Sequence, residues 1–320
     1  MMRALLKKIP IPMAGLMLAL AATGNLMLSY GSNYRNFFGF VSGILLILLT
    51  VKVLSIPKSL REGFENPVIA SVMPTFSMGL MLLSTYILPY APSSAYGIWL
   101  LGLIIHIFLI IYFTKKYILN FNIKKVFPSY FIVYVGIVAG SVTAPAFGLS
   151  HWGQYIFWFG LVTYLILLPF VLYRVLHIKE IPEPAIPTIT IFAAPASLCL
   201  AGYLNSFPEK SMVMVGFLGF LSLVMFISVM IHIPKMLKSK FYPSYSAFTF
   251  PFVITAIATK GTNAFLLSAG ISIPSLVYLV KFLELWSVGI VLYVLARYIF
   301  FLTPRSEVET SAIKKQPQSN

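Results

Sequence analysis

Five prolines recur at nearly constant spacing along an otherwise apolar chain, and this repeat restricts the fold more than any other feature. They are Pro12, Pro67, Pro128, Pro187 and Pro243, separated by 55, 61, 59 and 56 residues. Each proline opens an apolar stretch with almost no charge, and a more aliphatic stretch follows before the next proline. Proline is favoured in the first turn of a helix, where its missing N–H would have no intrahelical partner. The spacing therefore predicts five copies of a two-helix unit.

The composition places these repeats in a membrane. Hydrophobic residues make up 59% of the 320-residue chain, charged residues make up 10%, and the mean hydropathy is +0.91. A soluble domain averages about 25% charged residues, and a helix needs about 20 apolar residues to cross the hydrocarbon core. We therefore predict an all-α transmembrane domain over residues 1–303 and a disordered cytoplasmic tail over 304–320. The ten predicted spans are 11–30, 36–57, 67–90, 94–119, 128–148, 151–178, 184–206, 211–236, 243–268 and 273–303.

The odd-numbered and even-numbered spans, called here the odd and even stretches, differ in character. Each repeat contains two spans, so all five repeats have the same orientation and are related by rotation about the membrane normal. No Asp, Glu, Lys or Arg occurs within 12–30, 67–90, 128–148, 184–206 or 243–259 of the odd stretches. The even stretches carry long aliphatic and aromatic runs, which are typical of a lipid-facing layer. This pattern predicts an inner ring of odd helices around a central pore and an outer ring of even helices.

A second helix breaker follows the opening proline by seven or eight residues in four of the five odd stretches. These breakers are Pro74, Gly136, Pro195 and Pro251. A proline inside a helix removes a hydrogen bond and clashes with the preceding turn, so it kinks the helix. Kinks at matching depth predict a pore that narrows at its waist. The first stretch departs from this pattern, since Gly15 is its only nearby breaker.

The odd stretches offer hydroxyl groups instead of charges. Hydroxyl dipoles suit a weakly held anion, although serine and threonine also pack membrane helices against one another. A carrier coupled to protons through an intramembrane carboxylate is not favoured, because the odd stretches contain no such carboxylate. The hydroxyl residues chosen as pore-lining candidates are Thr75, Ser141, Thr190, Ser246, Thr249 and Thr255.

Lysine and arginine predict the orientation of the chain. The formal net charge is +15, and most of the positive charges fall in segments on one side of the predicted membrane. The loops on the other side contain only Arg35, Lys210 and Lys260. The positive-inside rule then places both termini in the cytoplasm, and it explains the charge without a nucleic-acid partner. No Asn-X-Ser/Thr site occurs, which favours a bacterial plasma membrane. The N-terminal apolar run resembles a signal peptide but is long enough to be the first span.

The remaining polar residues give little sign of catalysis or metal binding. Cys199 is the single cysteine, and the four histidines lack the spacing of metal ligands. No hydrolase, metalloprotease or phosphate-loop motif occurs, so we predict neither a cofactor nor an enzyme. Lys281 and Glu284 lie three residues apart on the tenth stretch and are interpreted as an intramembrane pair, with either a structural or a proton- or substrate-handling role.

Three short motifs resemble one family of membrane proteins. The ninth stretch contains Ala-Phe-Thr-Phe-Pro at 247–251 and Ala-Ile-Ala-Thr at 256–259. The fifth stretch opens with Pro-Ser-Tyr-Phe at 128–131, and the seventh contains Ala-Pro-Ala-Ser-Leu-Cys-Leu-Ala-Gly-Tyr-Leu at 194–204. In this order, they are similar to the family of TehA and the plant guard-cell slow anion channels, which includes the yeast malate transporter. The resemblance extends over all ten predicted spans.

The resemblance implies a homotrimer with one pore in each subunit and a phenylalanine of the ninth helix closing each pore. Phe250 matches that gate by motif, and we expect the small residues Ala19, Gly136 and Ala194 to face it. A ring at this position would form a hydrophobic constriction, which is a known gating device. Lys260 near the outer mouth is interpreted either as attracting anions or as a solvated interfacial lysine.

Two functions remain open from the sequence. The first is a passive channel for small monovalent anions such as chloride or nitrate, embedded in a lipid bilayer. The second is a secondary carrier for C4-dicarboxylates or tellurite-type oxyanions. The carrier would need a cationic clamp, and the odd stretches contain none.

Overall fold

All regular structure in the part of the chain that the structure describes is helical. The structure is a computed structural model that describes residues 6–303, and the predicted tail at 304–320 lies outside the described residues. Nine helices in this range are long and apolar enough to cross a membrane. The prediction of an all-α membrane fold is therefore confirmed at this level. The fifth stretch is the only one of the ten predicted spans that does not form a long helix within 6–303.

The even stretches form long helices with little interruption. The fourth and sixth helices end in a wider π-helical turn, over Thr114–Ile118 and Arg174–Ile178. Proline occurs inside two of them, at Pro169 and Pro234. The α-helices of the even stretches are Ser32–Ser55, Pro92–Phe113, Ser150–Tyr173, Met212–Met236 and Pro274–Leu302.

Four of the odd stretches are interrupted part of the way along. The seventh and ninth begin with tightly wound 3₁₀ turns, at Glu183–Ala193 and Pro243–Phe248, before they become α-helical. The fifth ends in a 3₁₀ turn at Ala144–Phe147, and the first is continuous until a short 3₁₀ turn at Leu28–Tyr30. The α-helical segments of the odd stretches are Met13–Met27, Pro67–Val72, Pro74–Ile87, Tyr130–Tyr134, Val138–Thr143, Ala194–Ser206 and Phe250–Ser268.

The odd stretches contact one another in a closed cycle. The first packs against the third, the third against the fifth, the fifth against the seventh, the seventh against the ninth, and the ninth against the first. In the most apolar window of the four long odd helices, 44% to 89% of the residues are buried, whereas the value is 28% in every even helix. The odd stretches thus form the interior of the molecule, and the even stretches cover them.

The basic loops lie together at one end of the molecule, which we call the basic end. Lys116 Nζ lies 2.6 Å from Glu65 Oε1, and Lys124 Nζ lies 3.1 Å from Glu180 Oε2. These contacts connect the loops after the second, fourth and sixth stretches. An additional helix, Pro57–Glu65, lies here with polar and apolar faces. This helix falls between the predicted spans 36–57 and 67–90 and was not predicted; with nine residues it is too short to be a span.

Candidate functional site

A cavity of about 610 Å³ lies inside the ring of odd stretches. Residues of all five odd stretches line it, together with residues of the basic end. Lys7, Lys8, Glu62 and Tyr242 are among the lining residues from the basic end. Since these residues belong to loops and helix ends, the cavity reaches the surface there.

The cavity stops part of the way through the ring. The lining residues farthest from the basic end on each odd stretch are Leu18, Met78, Gly136, Leu198 and Pro251. No residue that follows these five in its own stretch lines the cavity. Residues farther along the first and ninth stretches, such as Ala22 and Ala258, are fully buried.

Phe250 lies at the closed end of this cavity. Its side chain lines the cavity and is only 7% exposed. Phe250 is the first residue of the α-helical part of the ninth stretch, directly after the 3₁₀ turn Pro243–Phe248. Pro251 in the first turn of that helix donates no hydrogen bond, which is tolerated at this position. The change from 3₁₀ to α geometry therefore places this ring at the level where the cavity ends.

The predicted kink residues lie at interruptions of their stretches. Pro74 begins a new helix after Met73, and Gly136 lies in the turn between two short helices of the fifth stretch. Pro195 and Pro251 are in the first turn of the α-helices that follow 3₁₀ segments. Gly136, Pro195 and Pro251 line the cavity. Pro74 does not line the cavity, but it is followed by Thr75, which does.

Gly136 occupies a position with no room for a side chain. A Cβ atom built there would lie 2.1 Å from the backbone oxygen of Ile132 and 2.8 Å from Met78 Sδ. We expect Gly136→Ala to destabilise the protein by about 1–3 kcal/mol, because the backbone or Met78 must move. Thermal unfolding in detergent measures this effect. Gly216→Ala is the matched control, since nothing lies within 4 Å of a Cβ at that exposed helical glycine. Equal melting temperatures for the two variants would contradict the prediction.

Three of the eight pore-lining candidates lie on the cavity wall. They are Thr75, Ala194 and Ser246. Thr75 Oγ1 donates to the carbonyl oxygen of Val72 at 2.6 Å, and Ser246 Oγ donates to that of Pro243 at 3.3 Å. Each hydroxyl oxygen can still accept a hydrogen bond. Thr188 also lines the cavity and has a similar bond, to Ala185.

The other five candidates lie outside the cavity and hold the ring together. Ala19 is fully buried between helices. Ser141 bonds to Ser206 of the seventh stretch, and Thr190 donates to Ala247 of the ninth. Thr249 donates to the carbonyl oxygen of Gly15 in the first stretch at 3.4 Å, and Thr255 donates to that of Ala193 in the seventh at 3.2 Å. Their hydroxyls serve helix packing, which is the alternative role that the sequence left open.

The tenth-stretch glutamate pairs with a different lysine from the one expected. Glu284 Oε1 lies 2.5 Å from Lys260 Nζ, and Glu284 Oε2 accepts a hydrogen bond from Tyr30 at 2.6 Å. Lys281 is exposed and is not within salt-bridge distance of any carboxylate of residues 6–303. The predicted Lys281–Glu284 pair is therefore wrong, because contacts between helices satisfy Glu284 and Lys281 faces outward.

Lys260 accordingly lies in a polar network at the end opposite the basic end. Besides Glu284, it donates to the carbonyl oxygen of Leu26 at 3.2 Å and to Ser29 Oγ at 2.6 Å. It also lies 5.2 Å from the centre of the Tyr30 ring. This network connects the first, ninth and tenth stretches. Neither sequence interpretation of Lys260 included a buried carboxylate partner from another helix.

Lys52 is a buried charged residue of the cavity wall that the sequence analysis missed. Lys52, near the end of the second stretch, is only 4% exposed, yet it lines the cavity. Its ammonium donates to the carbonyl oxygen of Leu6 at 3.1 Å. Lys52 escaped notice because it belongs to an even stretch, where the pattern predicts contact with lipid. A lysine near the end of an apolar run was the available signal.

The comparisons with known proteins support a role in transport. A model of the SLAC1 family, described as voltage-dependent anion channel, matches residues 9–301. No curated protein matches the chain in a sequence search. Within residues 6–303, no three His, Cys, Asp or Glu side chains form a group that would hold a metal ion. The match covers Phe250 and the lining residues of all five odd stretches, and it leaves out Lys7 and Lys8 at the cavity mouth.

Proposed function

The chain belongs to the voltage-dependent anion channel family, and we propose that it is a channel for small monovalent anions that Phe250 closes. The observation that carries this proposal is the cavity that runs from the basic end into the ring and ends at Phe250. A buried apolar ring at the closed end of a cavity is suited to act as a hydrophobic gate.

The same proposal gives the architecture in the membrane. The interrupted fifth stretch also crosses the membrane, which brings the number of spans to ten. The five odd stretches then form the inner ring, and the five even stretches form the outer ring. The basic end faces the cytoplasm, as the positive-inside rule requires, and both termini lie on that side of a bacterial plasma membrane. We further propose a homotrimer with one pore in each subunit. The support for the trimer is family membership alone.

The chemistry of the cavity favours anions. Its charged lining residues within 6–303 are Lys7, Lys8, Lys52 and Glu62, so lysines outnumber carboxylates. Deeper in, the polar lining groups are the hydroxyls of Thr75, Thr188 and Ser246 rather than charges. Such dipoles hold a dehydrated anion weakly, which permits passage. Chloride and nitrate are the proposed ions.

A carrier for C4-dicarboxylates or tellurite-type oxyanions is the second candidate, and Lys52 favours it. This buried cation supplies one half of the clamp that the sequence analysis found missing. A C4-dicarboxylate carries two negative groups, and the other lysines of the cavity wall, Lys7 and Lys8, are exposed at its mouth. A firm dicarboxylate site needs two fixed cationic partners. The channel therefore remains the better-supported function.

Electrical recordings of the purified protein in planar lipid bilayers test the proposal. Wild-type protein and Phe250→Ala are compared under a potassium chloride gradient. We expect the reversal potential to lie close to the chloride equilibrium potential. Nitrate should also carry the current when it is substituted for chloride. Saturable uptake of labelled dicarboxylate without current would support the carrier instead. A reversal potential at the potassium equilibrium potential would refute both candidates.

A further inference from the structure

We propose that the ammonium group of Lys52 forms an anion-binding subsite in the cavity, where one chloride or nitrate is held before it reaches the gate. This inference rests on the proposed function and adds to it a specific residue and ligand class. Nothing in the repeat pattern of the sequence assigns a role to Lys52. Its burial, its place on the cavity wall and the absence of a carboxylate partner among residues 6–303 carry the argument.

Lys52 is a buried cation with unused hydrogen-bonding capacity. An ammonium group has three N–H donors, and the structure gives Lys52 Nζ one acceptor among residues 6–303, the carbonyl oxygen of Leu6. No carboxylate oxygen of the described residues lies within 4 Å of it. Removing a charge from water costs several kcal/mol unless a partner compensates. Anions and water in the cavity are the partners that its position allows.

Two other cations of the described residues, the half-buried Lys260 and the buried Arg174, have different surroundings. Lys260 has the carboxylate of Glu284 as its partner. Arg174 donates to the carbonyl oxygens of Lys124 and Glu180, and its guanidinium lies 5.7 Å from the centre of the Phe127 ring. Neither residue lines the cavity. Lys52 therefore differs from Lys260 in having no carboxylate partner among residues 6–303, and it differs from Arg174 in lining the cavity.

The charged residues that line the cavity together with Lys52 are mostly positive, which favours the entry of anions. Lys7 and Lys8 lie on the same wall and are exposed. Glu62 is the one lining carboxylate within 6–303, and its partner at 3.8 Å is Lys58, with both side chains largely exposed. Exposed charges are screened by salt, whereas a buried charge is screened much less. Lys52 should therefore dominate the potential that an entering anion experiences.

The chemistry of lysine specifies the class of ligand. An ammonium group is a compact point charge, whereas arginine presents a planar fork that matches carboxylates. A single point charge with a neutral carbonyl beside it suits one small monovalent anion. A dicarboxylate would leave its second negative group near apolar lining residues such as Ile9 and Val72. The subsite should accordingly prefer chloride and nitrate to a C4-dicarboxylate.

Conductance measurements in the Phe250→Ala background test the subsite. We expect Lys52→Gln to lower the single-channel conductance at low chloride several-fold, up to about tenfold. A focused positive charge raises the local concentration of anions by about this factor. The difference in conductance between this variant and its parent should shrink as the chloride concentration rises, since chloride then occupies the pathway without attraction by Lys52. Lys52→Arg should retain most of the conductance. Lys58→Gln is the matched control, because Lys58 lies near the cavity mouth but is exposed and does not line it.

A binding measurement separates this inference from the proposed function. The melting temperature of detergent-purified wild-type protein should rise with nitrate relative to gluconate at equal ionic strength, and Lys52→Gln should lose this rise. If the Phe250→Ala parent carries no anion current, the channel proposal fails while the melting experiment still tests the subsite. If Lys52→Gln retains both the low-chloride conductance and the nitrate effect, the subsite is refuted and the channel proposal stands. Stabilisation by succinate rather than nitrate would refute the monovalent preference.

Discussion

Phe250→Ala should increase the anion current of the purified protein at least about tenfold over wild type. Alanine removes the ring that closes the inner end of the 610 Å³ cavity, so the apolar constriction becomes wider. A tenfold increase corresponds to removing about 1.4 kcal/mol of barrier. Since a hydrophobic constriction also excludes water, opening it should have a larger effect than this minimum. Single-channel and macroscopic currents in planar bilayers measure the change.

A series at position 250 distinguishes occlusion by the ring from general damage. Phe250→Leu keeps an apolar side chain of intermediate size and should give a current between those of wild type and alanine. Phe252→Ala is the matched control, because the Phe252 ring packs against Phe226 and Trp286 and does not line the cavity. We expect no comparable increase from this variant. Equal currents from Phe250→Ala and Phe252→Ala would show that loosening the ninth helix, rather than unblocking a pore, produces conduction.

The position of the proposed gate could be approached from the sequence, because prolines mark where the odd stretches change geometry. The proline repeat predicts which stretches are equivalent, and the second breakers predict where they bend. In the structure, Pro251 lies where the ninth stretch changes from 3₁₀ to α geometry, and Phe250 precedes it directly. The role of Phe250 itself came from a resemblance, since one phenylalanine in an apolar helix carries no such information.

The hydroxyl residues show what a one-dimensional pattern leaves out. Serine and threonine at suitable positions satisfy their own helix carbonyls or a neighbouring helix as readily as they face a cavity. Thr75 and Ser246 line the cavity, whereas Thr190 bridges to Ala247 of the ninth stretch. Rotation of a helix by a fraction of a turn decides between these outcomes. Packing against several neighbours fixes that rotation, and the sequence of one stretch does not contain it.

The two charged groups that were misjudged have the same physical explanation. Lys52 and Glu284 both belong to even stretches, where the pattern predicts lipid contact. Lys52 borders the inner cavity, and Glu284 accepts from Lys260 and Tyr30 on neighbouring helices. Burying a charge in hydrocarbon is expensive, so each finds a polar environment in three dimensions. The need of a buried charge for a polar partner therefore decides the pairing of Glu284, and the three-residue spacing from Lys281 does not.

Glu284→Gln should be among the most destabilising single substitutions in this protein. The Glu284 side chain is 7% exposed. Glutamine removes its negative charge and so leaves Lys260 without its carboxylate partner. Removing one member of a buried pair costs about 3–5 kcal/mol, and we expect a value near 3 kcal/mol because Lys260 is 32% exposed. The network joins the first, ninth and tenth stretches, so its loss should loosen the helix that carries Phe250. Thermal unfolding in detergent measures the stability.

Lysine substitutions identify which partner Glu284 requires. Lys260→Met should lower the free energy of unfolding by a similar amount, since it leaves Tyr30 as the remaining partner of the carboxylate described here. The double variant with Glu284→Gln should lose less stability than the sum of the losses of the two single variants. Lys281→Met is the matched control, because Lys281 lies one turn from Glu284 on the same helix but is exposed. We expect it to change the melting temperature little. A loss for Lys281→Met as large as that for Lys260→Met would mean that the pairing along the tenth helix, and not the contact between helices, holds Glu284.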